Sequence, residues 1–79
     1  MGAGGKLTML RYFTFRFLHS RRHTTRDITI AGTHQPDCLT AAWAVLRDME
    51  LRDAGFTRDD WRVLAVTIRP VIDLAAVLA

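Results

Sequence analysis

Four residues stand at spacings that suit metal chemistry: His19 and His23 as H-x3-H, then His34 and Cys38 as H-x3-C. Zinc accepts such nitrogen and sulfur ligands in a tetrahedron. The two pairs, however, flank different places. The first brackets a predicted hairpin tip, and the second lies beyond a predicted strand of about six residues, roughly 20 Å away at ~3.3 Å per residue. No ordinary hairpin joins them, so no metal or other cofactor is expected. Cys38 sits near a predicted helix start, where thiols can become nucleophilic, with His34 four residues before it. Nothing supplies a third orienting group or an evident oxyanion site, and so small a chain leaves little room for a cleft. Asp59 and Asp60 are adjacent in a predicted turn, where carboxylates cap or solvate the backbone. These patterns argue for a protein with no catalytic residues, one that binds without being an enzyme.

The arginines are the stronger signal. Residues 1–26 carry Lys6, Arg11, Arg16, Arg21, Arg22 and Arg26 and no acid, a local charge of +6; residues 27–79 set five arginines against eight acids, or −3. Such polarity suits an anionic partner or an acidic protein surface. All basic residues but Lys6 are arginine, whose forked donors serve phosphate contacts and protein interfaces alike. Arg21, Arg22 and Arg26 cluster at the hairpin tip. Tyr12, Arg16 and Arg69 belong to the sheet face turned away from the helix, with Thr14, Thr29 and Thr67 beside them and Trp61 at the margin. These six, Tyr12, Arg16, Arg21, Arg22, Arg26 and Arg69, are the candidate contact residues. The expected partner is a protein or nucleoprotein complex. The second reading is direct RNA or DNA binding by the same residues, since an aromatic and arginines on an open sheet can stack bases. Against it, Tyr12 is the one central platform, the aromatic motifs of RNA-recognition sheets are absent, and a net charge of +3 is mild.

The elements that must position these residues follow from periodicity. A flexible start at 1–6 precedes one domain over 7–79. Residues 7–19 alternate as a strand, with Phe13, Phe15 and Phe17 on one side and Tyr12, Thr14 and Arg16 on the other. "SRRHTT" is a polar connection, and "RDITIAG" a second strand with Ile28 and Ile30 inward, ended by Gly32. Pro36 suits a first helical turn and Asp37 the positive end of its dipole. Leu39, Ala42, Trp43, Leu46 and Met49 then form a stripe at helical spacing, with Arg47, Asp48, Glu50, Arg52 and Asp53 on the opposite surface. The spacing predicts a helix over 36–54, closed by Gly55 with Phe56 folding back on Leu51. Thr57 and Asp60 have capping-box spacing. "WRVLAVTIR" alternates as a strand over 61–69, with Leu64, Val66 and Ile68 on one face. Pro70 ends it. "VIDLAAVLA" reads as a short terminal helix or an apolar flap. The sum is an α+β fold, ββαβ: a three-stranded antiparallel sheet of order 2-1-3 with one helix packed on one face.

At 79 residues, 49% hydrophobic and 24% charged, the chain is a globular domain with one modest core. A homodimer through an edge strand or through the tail would add burial. A lone cysteine excludes an internal disulfide and favours a reducing, cytoplasmic setting. Arg11 and Arg16 interrupt the apolar start, so that stretch is not expected to be a signal peptide, and charges within 61–79 argue against a membrane span there.

In layout, the opening hairpin "FTFRFLHSRRHTTRDITIAG", the helix segment "PDCLTAAWAVLRDMELRDAGF" and the closing "TRDDWRVLAVTIR" together resemble small accessory proteins of bacteriophages and mobile elements, anti-CRISPR inhibitors among them. The resemblance implies a binding protein, an inhibitor that occludes a defence nucleoprotein.

Overall fold

The computed structural model describes residues 10–70. The expectations for a flexible start at 1–6, for strand residues 7–9 and for a helix or flap at 71–79 fall outside them. The elements run β1 (Arg11–His19), β2 (Thr25–Gly32), α1 (Gln35–Asp53), a 3-10 turn (Arg58–Asp60) and β3 (Trp61–Pro70). The strands make one antiparallel sheet in the order β2-β1-β3, and α1 packs on one face of it. This is the α+β, ββαβ arrangement that the periodicities imply.

The core begins with β1. Its alternation turns Phe13, Phe15 and Phe17 toward the helix, with successive rings 6.4 and 6.5 Å apart. Ile30 and Ile28 stand opposite Phe13 and Phe15 on β2. From α1, Trp43 meets Phe17 edge-on at 4.6 Å. The fully buried helical residues are Cys38, Ala42, Leu46 and Glu50, one in every four, while Leu39, Trp43 and Met49 flank them partly buried. The packed stripe therefore holds all five expected residues and is widened by Cys38 and Glu50. Glu50, expected on the outer surface, is only 1% exposed, because it continues the four-residue spacing of Cys38, Ala42 and Leu46.

Two glycines fix the ends of the helix. The Cys38 sulfur occupies the space that a side chain at Gly32 would need, so β2 and the first turn of α1 can approach closely. Gly55 takes φ 91°, a left-handed conformation that costs glycine little. There the N–H groups of Ala54 and Gly55 both donate to the Glu50 carbonyl, at 2.8 and 2.7 Å. Phe56 packs against the core, and Leu51 is 58% exposed.

Thr57 precedes a 3-10 turn instead of a helix, without a side-chain cap. β3 then pairs with β1 through a bulge: Phe17 faces Val63 and Arg16 faces Ala65, so Leu64 has no partner. The bulge changes the predicted faces. Trp61, expected at the margin of the open face, lies opposite buried His19 and is 3% exposed. Val63, Val66 and Ile68 point to the helix side, and Leu64 sits at the bulge. Coverage there is incomplete. A helix about 10 Å wide spans two strands spaced about 4.8 Å apart, not three. Helix α1 lies over β2 and β1, and Val63, Val66 and Ile68 remain 38%, 38% and 46% exposed.

Candidate binding surfaces

The face turned away from α1 is built in cross-strand rows set by the pairing of β2, β1 and β3. One row holds Ala31, Tyr12 and Arg69, the next Thr29, Thr14 and Thr67, the next Asp27, Arg16 and Ala65. Leu18 and Arg62 stand opposite each other at the far end. The Thr14 and Thr29 hydroxyls are 2.8 Å apart, in hydrogen-bond contact. Arg16 grips Asp27 with two donors, Nε to Oδ1 at 2.9 Å and an Nη to Oδ2 at 3.0 Å. That hydrogen-bonded pair holds the Asp27 carboxyl below its ordinary range and raises the Arg16 guanidinium further. A shallow depression runs over this face from Tyr12 and Arg69, past the threonines, to Arg16 and Asp27. Three of the six candidates, Tyr12, Arg16 and Arg69, are thus brought together.

The other three lie at the hairpin end, and they are engaged. On the helix side of β2, Arg26 reaches Glu50 at 2.7 Å and Asp53 at 3.3 Å. Arg22 reaches the second Glu50 oxygen at 3.2 Å. Arg21 lies 3.4 Å from Asp60, with a side chain that is mostly exposed. The tip itself is stitched down. The Ser20 N–H donates to the Asp60 carbonyl at 2.8 Å, and the Ser20 hydroxyl reaches the same oxygen at 3.2 Å. His23 takes φ 55°, and its N–H closes the turn onto the His19 carbonyl at 2.9 Å.

The histidines and the cysteine lie in separate local settings. His19 is buried edge-on against Trp61, ring centroids 4.9 Å apart. Its Nδ1 accepts the backbone N–H groups of Arg22 at 3.0 Å and Arg21 at 3.3 Å. An acceptor at Nδ1 places the ring proton on Nε2, which faces Asp60 at 3.8 Å. His34 contacts the Thr33 hydroxyl through Nδ1 at 2.9 Å, while Cys38 is buried against Gly32. Among the described residues, no three His, Cys, Asp or Glu side chains are placed so that they could hold a metal ion.

Sequence reasoning missed the acids that hold these arginines: Glu50, Asp53, Asp27 and Asp60. The signal for Glu50 was present in the spacing 38, 42, 46, 50. Asp27 opposite Arg16 follows from the hairpin register once the tip is known to span residues 20–24. Nothing local to Asp60 announces contact with residues forty positions earlier. Among the described residues, no helix is long and apolar enough to cross a membrane. No family model, no curated protein and no solved structure matches the chain.

Proposed function

We propose that this chain is a non-enzymatic binding protein that docks its open sheet face on a protein or nucleoprotein complex and acts by occlusion. The observation that carries the reading is the face itself. Tyr12, the Arg16–Asp27 pair, Arg69 and a threonine row lie on rigid strands, uncovered by α1. Aromatic and arginine side chains on a flat polar surface are usual anchors of protein interfaces. A phage-type inhibitor resembling anti-CRISPR proteins is the most specific form of this proposal. The lone buried thiol suits a reducing, cytoplasmic setting.

Direct nucleic-acid binding is the weaker reading. Arg22 and Arg26 are spent on Glu50 and Asp53, and Arg16 on Asp27, which lowers the positive charge on offer to phosphates. The experiment is capture of host partners with and without nuclease, using the natural protein and a Tyr12→Ala, Arg69→Glu variant. Protein partners that persist after nuclease and are lost with the variant fit the proposal. Partners that leave with the nucleic acid, under a steep salt dependence, defeat it.

A further inference from the structure

We propose that the free edge of β3 pairs with β3 of a second copy, antiparallel, about a two-fold axis at Thr67. Among the described residues β3 pairs only with β1, so its other edge presents unpaired N–H and C=O groups. Natural edges are guarded by charges, bulges, prolines or covering elements. On β3 the guards stand at the ends: Arg62 and the Leu64 bulge before, Arg69 and Pro70 after. Between them Ala65–Ile68 carries no charge, and Val66 and Ile68 are exposed beside the seam.

The register follows from these guards. The regular stretch between bulge and proline is Ala65–Arg69, and its centre is Thr67. A two-fold axis there sets Val66 against the partner's Ile68, and Ile68 against the partner's Val66, on the helix side. On the open side it sets Thr67 against the partner's Thr67, and Ala65 against the partner's Arg69. No like charges meet. The Thr29–Thr14–Thr67 row continues into the second subunit, and opposed β-branched pairs are the favoured currency of sheets. Centring one residue earlier runs the pairing into the bulge of both copies, and centring one later shortens it against Pro70. The strand is thus self-complementary in one register, which favours a second copy over an unrelated strand. The inference stands apart from the docking proposal, although pairing would double the open face on one continuous sheet.

The test is sedimentation of the full chain from micromolar to near-millimolar concentration, with amide exchange of β3 followed over the same range. Mass doubling is expected, with protection rising in step at those amides of residues 65–69 that point away from β1. Ala65→Lys, which faces the partner's Arg69, should weaken the dimer on the order of tenfold over its two symmetric contacts, and Ala65→Glu should tighten it. Urea melts of both variants report separately on the fold of the single chain. The proposal is overturned by a monomer at every concentration, by a dimer indifferent to both Ala65 changes, or by protection in the monomer of those β3 amides that point away from β1.

Discussion

Glu50 occupies a place on α1 where a leucine would pack, and its carboxylate is tolerated because two guanidinium groups come to it. Arg26 and Arg22 bind one oxygen each, at 2.7 and 3.2 Å. Their own side chains are 35% and 43% exposed, whereas that of Glu50 is 1% exposed. The partners are therefore unequal. A freed arginine can turn to water, but a freed Glu50 stays buried and unpaired. Arg22→Ala with Arg26→Ala should cost about 3–5 kcal/mol, while Glu50→Met should stay within about 1 kcal/mol of the natural chain, as urea denaturation would measure. A Glu50→Met loss as large as that of the double arginine variant would refute this asymmetry. Asp27 behaves differently because it is exposed. Its folded-state acidity is increased by Arg16, so the pair contributes stability above the ordinary aspartate range. That small contribution disappears as pH falls through the lowered pKa, and it should weaken with salt. In Asp27→Asn, the part of the acid-induced loss that belongs to this pair should be absent from pH-dependent melts.

At the scale of elements, Gly32 and Cys38 join β2 to α1. Gly32→Ala would drive its new methyl into the Cys38 sulfur, an overpacking that should cost about 1–3 kcal/mol. Cys38→Ala should relieve part of that cost in the double variant, and strict additivity would count against the contact. The elements themselves were largely legible. The Phe13-Phe15-Phe17 alternation, Pro36 in the first turn and Gly55 at the end are local signals: β2, α1 and β3 stand within one residue of where they were expected, and β1 ends at His19 as expected but begins at Arg11. What escaped was the edge of the helix face: Leu39, Ala42, Trp43, Leu46 and Met49 all meet the core as expected, and Cys38 and Glu50 widen the packed stripe on one side. Hydropathy ranks a glutamate outward and cannot register arginines arriving from another element. For the same reason the hairpin arginines read as free contacts: their partners Glu50, Asp53 and Asp60 come from elements more than twenty residues later in the chain.

Across the whole molecule, one helix faces three strands. The first two strands and α1 enclose the phenylalanines, and β3 completes the sheet with its helix-side valines and isoleucine only partly covered. The charge division of the sequence, +6 against −3, also changes meaning in three dimensions. Much of it closes on itself where the hairpin end meets the C-terminal end of α1 and the 3-10 turn, so it serves cohesion there. Net +3 then leaves a mild field, and association through the open face should slow only modestly as salt rises, in contrast to the steep loss of a phosphate-bound complex.

The bulge at Leu64 makes the chain unequally tolerant of losing a residue. Upstream, Trp61 and Val63 face the core; downstream, Val66 and Ile68 do, so the alternation shifts by one at Leu64. Deleting Leu64 would remove the surplus residue and restore an unbroken alternation with the same side chains inward. Deleting Thr67, two residues beyond the paired Ala65, would instead turn the remainder of the strand over, because a one-residue slip exchanges the faces of a sheet. The first deletion should keep the melting midpoint of the natural chain, and the second should lower it. In a lineage of such chains, length changes within β3 would be admitted around the bulge and purged beyond it.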